Sequence, residues 1–319
     1  MALEANFCRI QLERPGPGGV DRLLCVRRTR LGKTGQQICV GDQVQVEGID
    51  WSERRGAVSA LEPRISLLER PAVANCSRVV VAVALEQPLL DPLQLTRFLI
   101  TAERTGVAVD VVLTKADLLA PADQRSWRER LVDWGYQPLL VSARMGEGVE
   151  ALRQRLAAPG IAVLCGPSGV GKSSLINALL PQLSLRVSAV SGRLQRGRHT
   201  TRHVELYPLA PGAWLADTPG FNRPDLPVDP EQLAQLFPEV RQRLEAGSCR
   251  FSNCLHQGDP GCAVGGDWDR YALYRACLEA MQVDQRRHRR EASSGSPSRL
   301  DQRLREPSRR RRRQADQTD

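Results

Sequence analysis

Residues 166–173 form the segment GPSGVGKS, which matches the pattern G-x-x-x-x-G-K-[ST] at every fixed position. The apolar run IAVLC precedes it and the run SSLINALL follows, so the pattern predicts a strand, a loop and a helix in that order. Glycines let the backbone N–H groups of such a loop turn toward a phosphate, where a Cβ atom would crowd the anion. An unrelated glycine-rich turn is the alternative, but the flanking strand and helix favour a phosphate-binding loop in an α/β fold.

The phosphate loop assigns roles to individual side chains. Lys172 can reach the β- and γ-phosphates and support catalysis, Ser173 can ligate Mg²⁺, and the helix N-terminus adds partial positive charge. We therefore expect a nucleoside triphosphate with Mg²⁺ as the ligand. The predicted contacts in this loop are Gly166, Pro167, Ser168, Gly169, Val170, Gly171, Lys172, Ser173 and Ser174.

The segment VVLTKADLL, residues 111–119, resembles the guanine-binding loop of GTP-binding proteins, although it precedes the phosphate loop. Asp117 can accept two hydrogen bonds, from guanine N1–H and from the 2-amino group, and adenine does not offer that pair. The stem of Lys115 can lie over the base, and the Ala143 N–H in VSAR, residues 141–144, can serve guanine O6. The predicted guanine contacts are Thr114, Lys115, Ala116, Asp117, Ser142 and Ala143.

The order of these motifs leaves two interpretations open, since TKAD is either a chance match or part of a rewired chain. Every motif follows a predicted strand. Loops at the carboxyl ends of parallel strands share one edge of the sheet, whatever their order along the chain. This geometry favours a real site in a circularly permuted domain.

A second phosphate-side motif is LADTPG, residues 215–220. Its strand would deliver Asp217 to the Mg²⁺ shell, and Gly220 can offer its N–H to the γ-phosphate. The pattern D-x-x-G is weak alone, but its place on the strand after a phosphate loop strengthens it. Between the two motifs, Thr200 or Thr201 can supply a further hydroxyl to Mg²⁺, and comparison with GTPases that carry Thr-Thr-Arg favours Thr201.

The chain divides into four predicted regions. Residues 1–70 contain short alternating runs separated by glycine-containing turns, which predicts a small barrel such as an OB-fold. Residues 71–225 alternate strand and helix signals, which predicts an α/β domain with a mainly parallel sheet. Residues 226–285 are mostly helical around a Cys/His loop, and the Ser-, Pro- and Arg-rich residues 286–319 predict a basic disordered tail.

Charge is concentrated at the carboxyl end. Residues 286–319 hold 12 Arg and 5 acidic residues and so carry most of the net charge of +9. The run RRRRR at 309–313 either binds a phosphate backbone or is a solvated end.

No apolar run approaches the roughly 18 residues of a membrane helix, so we expect a cytoplasmic protein without a membrane partner. Six basic residues of the first region form a candidate RNA-contacting patch: Arg27, Arg28, Arg30, Lys33, Arg54 and Arg55. The alternative is that they are ordinary side chains on a solvent-facing sheet.

The segment CRFSNCLHQGDPGC places Cys249, Cys254, His256 and Cys262 within 14 positions. Three thiolates and one imidazole suit a closed tetrahedral site, so the segment predicts one structural zinc ion. Three free thiols with a surface histidine, or a Cys249–Cys254 disulfide, are the alternatives.

The motif order TKAD, SAR, GPSGVGKS, GRHTT, DTPG resembles the RsgA (YjeQ) family of circularly permuted GTPases. The resemblance covers roughly residues 20–285 and includes the VGD turn at 40–42 and ERP at 69–71. It implies an OB-fold, a permuted GTPase domain and a zinc-containing C-terminal domain. It also implies GTP hydrolysis coupled to late maturation of the small ribosomal subunit, whose rRNA is then a partner, and we expect a monomer.

The chain departs from the common GTPase pattern at three places. Thr114 replaces the usual Asn, which predicts weaker nucleotide binding or looser loop ordering, while Asp117 preserves the preference for GTP. Phe221 stands where Ras-type enzymes carry the Gln that orients water, so we expect slow turnover without a partner. The resemblance implicates His199 in catalysis, although an rRNA contact or a loop cap is the alternative. The Arg-rich tail is the third departure.

Two functional alternatives remain beside the ribosome-assembly GTPase. One is an RNA-binding docking module that guanine nucleotides regulate and that hydrolyses negligibly. The other is an ATP-using enzyme, which Asp117 and SAR disfavour. In all of these the D-x-x-G loop runs straight into the C-terminal domain through FNRPDLPVDP, residues 221–230, which suggests that loss of the γ-phosphate repositions that domain.

Overall fold

The protein is described here by a computed structural model that covers residues 3–4, 7–28, 37–69, 72–183, 204–217, 224, 226–227 and 229–293. The strands are β1 Leu3–Glu4, β2 Phe7–Gln11, β3 Arg22–Arg27, β4 Val44–Asp50, β5 Arg55–Leu61, β6 Leu67–Glu69, β7 Ala72–Ala74, β8 Cys76–Ala84, β9 Ala108–Thr114, β10 Leu139–Val141, β11 Gly160–Cys165, β12 Glu205–Ala210 and β13 Ala213–Asp217. The α-helices are α1 Pro92–Glu103, α2 Pro121–Asp133, α3 Val149–Leu156, α4 Lys172–Leu179, α5 Pro238–Ala246 and α6 Tyr271–Ser293. Short 3₁₀ helices occupy Pro17–Gly19, Ala116–Leu118, Pro230–Gln232 and Ala234–Leu236.

The amino-terminal region is a five-stranded sheet in the order β1-β2-β3-β5-β4. Its pairs are antiparallel except β3 with β5, which run parallel. Cys8, Cys25 and Val58 lie at the centre of its small apolar core. The prediction of an all-β unit ahead of the α/β sheet is therefore confirmed.

The central sheet has six strands in the order β10-β9-β8-β11-β13-β12. The first five are parallel, and β12 pairs antiparallel with β13. Strand β8 is almost wholly buried because its odd-numbered valines pack under α1 and α2 while Val80, Ala82 and Ala84 pack under α3 and α4. A strand buried on both faces requires the continuous apolar run that the sequence shows here.

The carboxyl-terminal region packs around α6. Apolar residues at helical spacing form its buried face: Tyr274, Leu278 and Met281 are each at most 3% exposed, Trp268 just before the helix is 8% exposed, and Tyr271 is partly buried. The segment before the Cys/His loop is helical but interrupted, since two 3₁₀ turns come before α5. Pro238 explains the break, because proline cannot continue a helix but suits the first position of a new one.

The VGD turn joins the amino-terminal sheet to the start of the central domain. Asn75 Nδ2 donates to Gly41 O at 3.0 Å, and Ala74 N donates to Val40 O at 2.8 Å. Gly41 has a φ of +92°, and a Cβ there would lie 2.2 Å from Ala74 O, so this close approach requires glycine.

Described elements lie on both sides of two predicted boundaries. Strands β6 and β7 pair antiparallel across the boundary placed between residues 70 and 71. Helix α6 continues to Ser293, so the first eight residues of the predicted tail are helical. Among the described ranges, the structure contains no helix both long and apolar enough to cross a membrane.

Candidate functional site

Three loops and the end of one strand meet at the carboxyl edge of the central sheet. The base loop Thr114–Asp117, the segment with Ser142 and the phosphate loop lie at the ends of β9, β10 and β11, and Asp217 is the last residue of β13. Strand pairing sets Leu164 beside Asp217 and Val141 beside Thr114. The parallel sheet therefore gathers motifs that lie up to about a hundred positions apart in the chain.

The backbone of the phosphate loop needs its glycines. Gly166, Gly169 and Gly171 have φ values of +143°, +83° and +96°, a region that residues with a Cβ rarely adopt. A Cβ on Gly166 would also lie 2.0 Å from Ala82 O of the neighbouring strand. Val170 is buried in the core beneath the loop, which anchors the turn from below.

Lys172 begins α4 and folds back into the loop. Its Nζ donates to Gly166 O and Pro167 O, both at 2.8 Å. Burial lowers the pKa of Lys172 below its ordinary value, and the nearby Cys165 and Asp217 oppose that shift. The ammonium is therefore held inside the phosphate loop close to the carboxylate that is predicted to serve Mg²⁺.

The base loop has a left-handed turn at Lys115, whose φ is +54°. The Lys115 Nζ donates to Gln87 O, and its Cε lies 3.8 Å from where a Cβ on Gly171 would stand. The stem of Lys115 thus runs alongside the phosphate loop. Gln124, from the first turn of α2, donates its Nε2 to Ala116 O at 2.8 Å and to Leu119 O at 3.2 Å, which holds the loop from the other side.

Asp117 is oriented by a buried neighbour. The Ser142 hydroxyl donates to Asp117 Oδ1 at 2.6 Å and accepts from the Met145 N–H at 3.1 Å. Ser142 is 0% exposed, whereas Asp117 is exposed. Because a carboxylate has about four acceptor positions, Asp117 retains capacity for the two donors of a guanine edge.

Thr114 ties the base side of the site to the phosphate side. Its hydroxyl lies 2.6 Å from Val170 O and 3.1 Å from Val83 O, and the residue is buried. A hydroxyl has one proton, so it can donate to only one of these carbonyls at a time. The bond to Val170 is the shorter and joins the strand of the base loop directly to the phosphate loop.

Replacing Thr114 with Asn is expected to tighten GDP binding about three- to tenfold, because an amide carries two protons and can serve both carbonyls. Isothermal titration calorimetry measures the change. The isosteric control is Thr114→Val, which removes the hydroxyl and should weaken binding by a similar factor. Unchanged affinity in Thr114→Val would contradict a role for this contact in holding the site together.

A separate cluster brings together the four predicted zinc ligands, whose donor atoms all lie within 4.8 Å of one another. The Cys249 Sγ lies 3.5 Å from His256 Nδ1 and 4.0 Å from Cys262 Sγ, and His256 Nδ1 lies 3.4 Å from Cys262 Sγ. Tetrahedral zinc with its usual bond lengths needs about 3.8 Å between sulfurs and about 3.5 Å from sulfur to nitrogen. The donor set therefore fits a tetrahedral metal through the Nδ1 of the histidine.

The surroundings of the cluster orient its donors. The N–H groups of Ala263 and His256 each point to a cysteine Sγ at 3.4 Å, the first to Cys249 and the second to Cys254. Burial lowers the pKa of His256, with Asp259 opposing, which favours the neutral ring that metal binding requires. All nine cysteines are free thiols in the structure, so it does not contain the alternative disulfide.

Three predicted site residues lie outside the described residues: His199, Thr201 and Gly220. Arg30 and Lys33 of the candidate RNA patch also lie outside them, whereas Arg27, Arg28, Arg54 and Arg55 are exposed. Sequence reasoning missed Gln124 and Met145, since one comes from a helix and the other acts through its backbone. For Gln124, the only local signal is that a glutamine stands in the first turn of the helix that follows TKAD.

Comparison with known proteins gives consistent similarities. The family model described as RsgA GTPase matches residues 61–227. The protein named small ribosomal subunit biogenesis GTPase RsgA of Synechococcus sp. (strain CC9605) is 58% identical, and the match covers 87% of this chain and 91% of the relative. Its namesake in Thermosynechococcus vestitus (strain NIES-2133 / IAM M-273 / BP-1) is 53% identical over 88% of this chain and 80% of the relative.

Solved structures give the same result for the fold. The crystal structure of YjeQ from Thermotoga maritima matches with a TM-score of 0.72 at 28% identity, covering 88% of this chain and 96% of that one. The structure of YloQ, described as a circularly permuted GTPase, matches with a TM-score of 0.70 at 26% identity, covering 88% and 93%. The permuted order of the motifs in this chain is therefore shared with known folds.

Proposed function

The chain belongs to the RsgA GTPase family, and from this premise we propose that it binds GTP at the carboxyl edge of its central sheet and hydrolyses it to assist maturation of the small ribosomal subunit. One observation carries the proposal. The Thr114 hydroxyl lies 2.6 Å from Val170 O, so the loop suited to guanine and the loop suited to phosphates are joined in one site. The proposal includes guanine specificity through Asp117, whose carboxylate Ser142 orients.

The residues of this chain divide the work of binding and hydrolysis. Backbone N–H groups of the phosphate loop and the Lys172 ammonium would hold the β- and γ-phosphates, in positions set by the glycines and by the Val170 anchor. Ser173, Asp217 and Thr201 would hold Mg²⁺, which when bound neutralises charge on those phosphates. Most of the rate enhancement in such a site comes from positioning and electrostatics rather than from proton transfer.

The attacking water needs an orienting group, and the residue after DTPG is Phe221 rather than Gln. We propose that His199 supplies this function when the small ribosomal subunit is bound. His199→Ala should reduce subunit-stimulated hydrolysis by about 10²-fold and leave the slow basal rate nearly unchanged. The matched control is His203→Ala, four residues further on. Full stimulation in His199→Ala would exclude a catalytic role for this histidine.

The function is tested by titrating GTP hydrolysis with purified small subunits at a stated salt concentration. We expect stimulation that saturates with subunit concentration and weakens as the salt concentration rises. The reason is that binding of the Arg-rich tail to rRNA phosphates releases counterions, so added salt weakens that binding. Tight binding to the subunit without stimulated phosphate release would favour the docking-module alternative. Competition between GTP and ATP for the site tests the ATP-using alternative. We expect the protein to bind GTP much more tightly than ATP, because Asp117 can pair only with guanine.

The cluster of Cys249, Cys254, His256 and Cys262 is proposed to hold one zinc ion. The four protein donors would occupy all four positions of a tetrahedral ion, so the proposed role of the metal is structural rather than hydrolytic. We further propose that the protein acts as a cytoplasmic monomer with the rRNA of the small subunit as its main partner.

A further inference from the structure

Helix α2, Pro121–Asp133, is fastened to the base loop at its amino end. It starts four residues after Asp117, which itself lies in the short 3₁₀ turn Ala116–Leu118. Gln124 donates to Ala116 O, in the first residue of that turn, and to Leu119 O, in the residue that follows it. The direction of the base loop therefore depends on where α2 lies.

The other end of the same helix is fastened to the Cys/His domain, which we define as residues 229–293. Arg130 donates from Nε to Asp269 Oδ2 at 2.5 Å and from Nη2 to Asp269 Oδ1 at 3.1 Å. Trp134 Nε1 donates to Asp269 Oδ2 at 2.6 Å. Burial disfavours the charged form of Asp269, but these donors outweigh it and lower the pKa of the carboxyl. One carboxylate of the Cys/His domain thus collects three donors from the end of α2.

The next residue of that domain completes the contact. The Arg270 guanidinium carbon lies 4.6 Å from the centroid of the Trp134 ring and 4.6 Å from that of the Phe237 ring. It makes a bidentate pair with Glu239 at 2.6 and 2.5 Å, and Arg270 is 0% exposed. A buried bidentate ion pair of this kind fixes geometry, because displacing either partner leaves a desolvated charge.

Two further contacts keep the domains close. A Cβ on Gly135, whose φ is +90°, would lie 2.7 Å from Pro238 Cβ at the start of α5, so the backbones approach to the limit that glycine allows. Arg241 donates to Glu103 of α1 at 2.9 Å. The Cys/His domain is therefore held against α1 and the end of α2.

We propose that Gln124 and Asp269 are positioning residues for guanine recognition, acting through α2 as a rigid connector between the base loop and the Cys/His domain. Docking of that domain sets where Asp117 stands, and guanine binding in turn stabilises the docked arrangement, since such coupling is reciprocal. The inference rests on the proposed function in one respect, because it takes Asp117 as the acceptor of the guanine edge.

The test compares equilibrium binding of GDP and inosine diphosphate to full-length variants. Inosine diphosphate lacks the 2-amino group and so loses one of the hydrogen bonds to Asp117, while its phosphates are unchanged. Asp269→Asn and Gln124→Ala should each weaken GDP about three- to tenfold and change inosine diphosphate much less, so the ratio of the two affinities narrows. The matched controls are Asp267→Asn, an exposed partner of Arg243, and Gln154→Ala, on α3, and both should keep the wild-type ratio.

The possible results distinguish failure of the proposed base site from failure of the connector role of α2. If the wild-type protein does not distinguish GDP from inosine diphosphate, the proposed base site itself is wrong. If it does, and both variants keep its ratio while circular dichroism shows them folded, the connector role is overturned. Should Asp269→Asn unfold, Arg130→Gln cuts the same contact from the α2 side, where the side chain is 34% exposed, and is judged by the same ratio.

Discussion

Replacing Cys249 with serine is expected to abolish stoichiometric zinc binding and to unfold the Cys/His domain. The four donors contribute one tetrahedral site, and structural zinc contributes roughly 10 kcal/mol or more of folding free energy in small domains. The domain has a modest core, and Tyr274 of that core donates to Leu255 O inside the ligand loop at 2.9 Å. Loss of the metal should therefore propagate into α6. Elemental analysis of the purified protein should fall from about one zinc per chain to near zero.

Hydrogen exchange then shows how far the damage spreads. Protection of α5 and α6 should collapse in Cys249→Ser, while β8 and β9, which belong to a separate core, keep theirs. Cys39→Ala is the matched control, since that thiol lies in the amino-terminal region and should leave zinc content unchanged. A variant that retained one equivalent of zinc with full protection of α6 would contradict the assigned ligand set.

Local sequence patterns were sufficient for the central sheet and for the edge at which the site forms. The valine-rich run of β8 predicts a strand buried on both faces, and strand-loop-helix order fixes which ends carry the loops. Together these place Asp117 and Lys172 on the same edge although 55 positions separate them. The helical spacing of Tyr274, Leu278 and Met281 likewise indicates the buried face of α6, because such spacing depends only on neighbouring turns.

Contacts between domains were beyond such patterns. Arg130 and Asp269 are 139 positions apart, and nothing in the spacing of either segment indicates the other. The tie from Thr114 to Val170 was likewise not predictable in detail, although the replacement of the usual Asn marked the position as unusual. Burial of a polar side chain between two loops is decided by tertiary packing, and single-sequence periodicity carries no information about it.

Changing Lys172 to arginine is expected to reduce GTP turnover at least about 10²-fold, although the charge is conserved. The Lys172 Nζ fits inside the loop, 2.8 Å from two carbonyls, whereas a planar guanidinium is larger and cannot take the place of a compact ammonium. The distribution of lysine in the sequence agrees with a requirement for a compact ammonium at this position. Only three of the 45 basic residues are lysines, and two of these, Lys115 and Lys172, stand in the nucleotide motifs. Lysine is therefore concentrated in the nucleotide motifs of a chain whose other cations are almost all arginine.

Single-turnover hydrolysis and GDP affinity together locate the effect. Lys172→Arg should lower the rate far more than the affinity, because the ammonium serves charge that develops on the phosphates during transfer, while Asp117 and the loop amides still bind. Lys33→Arg, the same change outside the motifs, should leave both quantities as they are. Turnover within about threefold of wild type in Lys172→Arg would mean that charge alone suffices and that the tight loop imposes no selection between the two cations.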